Sequence, residues 1–127
     1  MTYGISKTTP LSYLQAIERV TEELKKEGFG VLTTIDVKET LKKKLNVDFE
    51  DYIILGACNP PFAHKSLLAE RDLGLLLPCN VIVYRHEGTT HVSAFDPMAM
   101  GAVVENAAIL PIAGEVRARL ERVIAAV

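Results

Sequence analysis

The chain has no tryptophan, only two cysteines, and aromatic residues at 6% of its length. Each shortage excludes something. Few aromatics leave little material for the stacking platforms that hold single-stranded nucleic acid. Two cysteines cannot build the disulfide framework of a small secreted scaffold, and they suit a reducing cytoplasm where thiols stay free. They could be bridged only if the fold made them neighbours. Positive charge is not in excess either. The 14 Lys and Arg against 16 Asp and Glu give a net charge of −2, so no broad field steers the chain toward nucleic acid. No apolar run reaches the roughly 18 to 20 residues that span a membrane. The opening Met1-Thr2-Tyr3-Gly4 lacks the basic patch and apolar stretch of a secretory signal. The expectation is a cytoplasmic protein with neither nucleic acid nor membrane as a partner.

Familiar catalytic patterns are missing as well. There is no Gly-rich phosphate loop, Gly-x-Ser-x-Gly elbow, His-Glu-x-x-His or dinucleotide fingerprint. Gly28-Phe29-Gly30 precedes a strand-like run rather than a helix, the wrong context for pyrophosphate. The usual hydrolase, kinase and dehydrogenase readings lose support, and no cofactor is called for.

What is present is an ordinary globular composition. The chain is 127 residues long, 49% hydrophobic and 24% charged, enough for one domain over residues 1–127 with a single core. Gly4 to Thr8 reads as a short strand with Ile5 inward. Thr9-Pro10 reads as cap and first residue of a long helix, with Leu11, Leu14, Ile17, Thr21 and Leu24 as its apolar stripe, widened by Tyr13 and Val20, and Gly28 closing it. Phe29 to Ile35 is β-rich. Asp36 with Glu39 forms a capping-box pattern for a short helix to Leu45. On that helix Lys42-Lys43-Lys44 is either an anion patch or, more plainly, a solvated face near the C-terminal end of the dipole.

Tyr52 to Cys58 is the next strand, and Asn59-Pro60-Pro61 starts a helix running to about Glu70. Leu75 to Leu77 forms a buried connector or a short helical turn that Pro78 stops. Asn80 to His86 and His91 to Phe95 make a hairpin over Glu87-Gly88-Thr89-Thr90. Asp96-Pro97 opens a short helical segment. Pro111 starts the last helix, with Ile112, Val116, Leu120, Val123 and Val127 inward and Arg117, Arg119 and Arg122 facing water.

Long crossover helices do not alternate regularly with strands, so a doubly wound parallel sheet is disfavoured. The expected class is α+β, in the order β-α-β(4)-α. Its sheet would be mostly antiparallel, with two long helices on one face and short helical inserts. Ile53-Ile54-Leu55 and Val81-Ile82-Val83-Tyr84 are apolar at both parities, which calls for burial on both faces. Two helices cover one face. A second copy of the chain is the simplest cover for the other, so the expectation is a homodimer through an apolar sheet face.

The segments Gly56-Ala57-Cys58-Asn59-Pro60 and Leu75-Leu76-Leu77-Pro78-Cys79-Asn80-Val81, with a helix between, resemble the small prokaryotic proteins called domain of unknown function 302. The resemblance covers essentially the whole chain. It implies the same β-α-β(4)-α arrangement, similar to the TATA-box-binding-protein fold and usually seen as dimers. It implies no activity. Likeness to a DNA-binding fold is analogy alone.

Candidate chemistry gathers where those two segments meet. Cys58 and Cys79 are strand-end thiols, the first beside a helix N-terminus that lowers thiol pKa values. They read as a nucleophile, a redox pair or soft-metal ligands, or else as small core residues. They stand twenty-one residues apart without a Cys-x-x-Cys, which weakens the redox reading. Cys58, His64 and Cys79 are the ligand types that suit zinc or copper, with Glu70 the nearest carboxylate; His64 pointing to solvent is the plainer view. His86 and His91 flank the hairpin loop, either paired across it or simply at a surface tip. Asn59, Asn80 and Asp96 are hydrogen-bonding groups for a polar ligand, or turn and cap residues. Met98 and Met100 read as adaptable packing. The leading expectation is a small-ligand-binding homodimer whose pocket is formed by Cys58, Asn59, Glu70, Cys79 and Asn80. The alternatives are a thiol-dependent metal-binding or redox protein, and a purely structural or partner-binding dimer.

Overall fold

The computed structural model describes residues 3–127; Met1 and Thr2, part of the opening read for a signal, lie outside the described residues. Five strands form one sheet: β1 (Gly4–Thr9), β2 (Gly30–Asp36), β3 (Tyr52–Cys58), β4 (Cys79–His86) and β5 (Thr89–Phe95). Their spatial order is β1-β5-β4-β3-β2, and every neighbouring pair is antiparallel. The helices are α1 (Tyr13–Lys26), α2 (Val37–Leu45), α3 (Pro60–Ala69) and α4 (Ile109–Ala125). Two 3-10 segments, Arg71–Leu76 and Pro97–Ala102, complete the chain. The α+β class and the all-antiparallel sheet agree with the sequence.

Alternation along the central strands decides where the core sits. Leu55, Ala57, Val81, Val83, Val92 and Ala94 point to one face and are buried there under α1 and α4. Successive strand residues point to opposite faces, so Tyr52, Ile54, Ile82 and Tyr84 lie on the other, which carries no long helix. Fully burying one such Val or Leu side chain stabilises by about 1.5–3 kcal/mol, so this layer dominates the fold.

Helix α1 begins later than expected. Thr9 stays in the ladder, paired with Thr90, and its Oγ1 accepts from Leu11 N. The cap is Ser12: its Oγ accepts from Gln15 N while Gln15 Oε1 accepts from Ser12 N. That reciprocal box satisfies two orphan donors at once, which Thr9-Pro10 cannot do. The stripe rotates with the new start. Ala16, Val20 and Leu24 are inward, and Leu14 is 74% exposed.

Other boundaries follow local chemistry. Asp36 Oδ1 accepts from Glu39 N at 3.0 Å, capping α2 as expected. None of the residues of α2 is buried, and its lysines are on a solvated face, Lys42 near Asp48 and Lys43 near Glu39. The hairpin is tighter than expected. Glu87 (φ +50°) and Gly88 (φ +80°) alone make the turn, and positive φ at both central residues matches the twist of the flanking strands. Helix α4 starts at Ile109, ahead of Pro111, and Asn106 Oδ1 accepts from Ala108 N just before it. Its C-terminus is held by Lys7, whose Nζ donates to Ala125 O (2.9 Å) and Val127 O (2.7 Å), a cation at the negative end of the helix dipole.

Leu75 to Leu77 is not a buried connector. Leu73 takes the core position, beside Met100, Ile109 and Ala113, while Leu75 is 88% exposed. The Arg71–Leu76 segment is one short 3-10 stretch, and it cannot turn every leucine inward.

Candidate functional site

At one end of β2, β3 and β4, the sheet, α3 and the N-terminal half of α4 line a partly open cavity of about 310 Å³. Phe29 and Ala57 belong to its sheet side, Phe62 to α3, Leu73 and Met100 to the 3-10 segments, and Val116 to α4. No lining residue is charged. The polar lining groups are Thr33, Cys58, Asn59, Ser66 and Cys79. Ser66 Oγ donates to Phe62 O at 2.7 Å, an internal bond of α3.

The candidate residues divide. Cys58, Asn59 and Cys79 line the cavity together. Asn80 does not: as the residue after Cys79 on β4 it points to the opposite face, where it is exposed and lines a second, shallower groove with Tyr52, Leu76 and Ile82. Glu70 is also outside the cavity. It follows the end of α3, and its Oε1 accepts from Asn106 Nδ2 at 3.2 Å, while the same amide nitrogen donates to Ala69 O at 2.8 Å. Glu70 thus ties α3 to the leader of α4. His64 is exposed on α3 and does not join the two thiols in the lining. Among the described residues no group of three His, Cys, Asp or Glu side chains is placed to hold a metal ion.

The two cysteines are free thiols, Cys79 buried and Cys58 half-buried. Burial pushes the Cys79 thiol from 9.0 up to about 11, and the neighbouring Cys58 acts in the same direction. A thiol so raised is almost wholly protonated at neutral pH, the opposite of an activated nucleophile.

Asn59 is the N-cap residue of α3, but its side chain makes no capping bond. Its Nδ2 instead donates to Glu27 O at 3.1 Å, and Arg119 Nη1 donates to the same carbonyl at 2.9 Å. Glu27 ends α1, and Gly28 follows at φ +86°, a conformation that favours glycine. Arg119 also lies over the Phe62 ring, 5.0 Å from its centroid, and Arg122 Nη2 donates to the Glu27 carboxylate at 2.8 Å. Arg122 holds the Glu27 carboxyl below its ordinary value. Of the three arginines expected to face water, Arg119 and Arg122 therefore tie α4 to the end of α1, while Arg117 pairs with Asp96 and Glu121. Sequence offered no signal for this, because the partners stand 92 and 95 residues apart.

On the uncovered face, Tyr52 and Tyr84 stack at 5.2 Å between centroids, and Tyr84 stacks on His91 at 4.7 Å. His86 does not pair with His91. Its Nδ1 lies 2.7 Å from Glu50 Oε2, and that bond raises the His86 pKa.

The fold and cavity define a small α+β protein with one helical layer and a partly open apolar cavity at the strand ends. The chain belongs to the family described as domain of unknown function DUF302, which matches residues 5–127. It is similar to the crystal structure of an uncharacterized conserved protein DUF302 from Bacillus stearothermophilus, at 32% identity over 98% of both chains and a TM-score of 0.91. No curated protein matches it.

Proposed function

We propose that this protein is a homodimer that binds a small, uncharged, largely apolar molecule in the cavity at the ends of β2, β3 and β4. The observation that carries this reading is the partly open cavity of about 310 Å³ with no charged lining residue. Small-molecule sites begin near 300 Å³ and combine apolar walls with a few polar groups. A dry cavity of about 150 Å³ takes benzene, so this one has room for a ligand of roughly a dozen non-hydrogen atoms. The half-exposed Leu67 and the largely exposed Leu32 mark the mouth.

Anions are poor candidates. The N-terminus of α3 approaches the cavity, but its first two residues are Pro60 and Pro61, which have no N–H to offer. The raised pKa of Cys79 likewise weighs against thiolate chemistry. The dimer rests on the other face, where stacked Tyr52 and Tyr84, half-buried Ile54 and Ile82, and Leu75 and Leu76 form an apolar surface without a helical cover.

The test is a thermal-shift screen of small aromatic and aliphatic molecules against the wild type and an Ala63→Phe variant that fills the cavity. Binding predicts stabilisation of the wild type by apolar compounds and none of the filled variant. A screen in which no apolar compound raises Tm, or in which both proteins respond alike, overturns the reading.

A further inference from the structure

The cavity holds one polar side chain whose orientation is fixed and whose second atom is unused. Asn59 is 93% buried, being 7% exposed, and it lines the cavity. Its amide cannot be flipped without loss. The Glu27 carbonyl only accepts, so the atom facing it at 3.1 Å must be the nitrogen, and Arg119 at 2.9 Å occupies the other side of that carbonyl. Oδ1 is then left over. It does not cap α3, and no donor among the described residues reaches it. Nor is it sealed in protein: no side-chain nitrogen or oxygen among the described residues is both fully enclosed and unpartnered, so Oδ1 keeps some accessible surface, and its residue lines the cavity.

An acceptor placed this way asks for a donor. Pro60 and Pro61 have removed the first two N–H groups of α3, the Ser66 hydroxyl proton is spent on Phe62 O, and no other donor of the lining is bonded to Oδ1. Building on the ligand-binding reading above, we infer that the cavity selects an apolar molecule carrying a hydrogen-bond donor, a hydroxyl or a ring N–H, which it gives to Asn59 Oδ1. The apolar walls supply affinity and this one acceptor supplies orientation. An ether, ketone or hydrocarbon of the same shape leaves the acceptor unmet, and an anion meets no charged residue in the lining.

Indole and indene are the probes, since they share a shape and differ by an N–H in place of a CH₂. Titration calorimetry on the wild type should show indole binding at least about fivefold more tightly than indene, the worth of one neutral hydrogen bond. In the Asn59→Leu variant, where Arg119 still serves the Glu27 carbonyl, indene should bind as before and the preference should vanish. Should that variant not fold, the wild type still decides the matter. The Asn59 side-chain carboxamide ¹³C resonance should move on adding indole and stay put on adding indene. Equal affinities, a tighter indene, or an unmoved carboxamide with bound indole overturns the donor assignment while leaving the cavity reading standing. Failure of both probes and of the wider screen overturns the cavity reading and this inference with it.

Discussion

Asn59 and Arg119 donate to one acceptor, the main-chain carbonyl of Glu27, at 3.1 and 2.9 Å. Three helices meet at this oxygen: α1 ends there, α3 begins at Asn59 and α4 brings Arg119. Asn59→Ala should cost about 1–2 kcal/mol, as should Arg119→Ala, because each leaves the carbonyl one donor. The double variant should cost more than the sum, because the oxygen is then stripped of both. Urea unfolding of the four proteins in this cycle checks it; strict additivity would show that the shared acceptor is not what couples these side chains.

Gly56 sits opposite Asn80 in the sheet, and a Cβ there would stand 2.0 Å from Thr33 Oγ1 and 2.9 Å from Pro78 Cγ. Thr33 covers the strand because β2 bulges between Val31 and Thr33. Gly56→Ala should therefore destabilise by roughly 1–3 kcal/mol through overpacking. Adding Thr33→Ala should recover part of the loss, with the Pro78 contact remaining. Equal Tm for Gly56→Ala and wild type would contradict this packing.

The Cys79 thiol titrates from 9.0 in the open chain but at about 11 in the fold, chiefly from burial. The fold favours the protonated thiol, so this contribution is intact below about pH 9 and is lost as pH climbs toward 11. The loss amounts to roughly 2 to 3 kcal/mol. Tyr13, raised from 10.0 to about 12 by burial and then by Asp36 and Asp51, acts in a higher window. Stability measured against pH should fall more gently between 9 and 11 in Cys79→Ala than in the wild type. Parallel curves would place Cys79 outside the buried set. Alkylation at pH 8 should reach Cys58 well before Cys79.

The uncovered sheet face carries its own prediction. Ile82→Lys puts a charge between Tyr52, Tyr84 and Asn80 without touching the helical layer, so the monomer should keep its circular dichroism while the dimer weakens at least tenfold, about 1.4 kcal/mol. Sedimentation velocity at micromolar concentration measures this. A wild type that sediments as a monomer there would remove the dimer altogether.

Read alone, the residues determined whatever depends on near neighbours in the chain. Tyr52 to Cys58, the Asp36 cap of α2 and the Asp96 cap before Pro97 all stand where they were expected. Each rests on a period or a cap written within four residues. The two Cys-Asn segments meet at one end of the sheet, where Cys58, Asn59 and Cys79 line the cavity. What the tertiary structure decided is which side of each element faces inward. A strand sends Cys79 and Asn80 to opposite faces, so one pocket could not hold both. On α1 the packing turned Leu14 out and Ala16 in. Asn59 looked like a cap until Glu27, 32 residues away, claimed its nitrogen and freed its oxygen. Such choices are settled by which distant group offers an unmet donor or acceptor, and that is a property of the assembled fold rather than of any local run of residues.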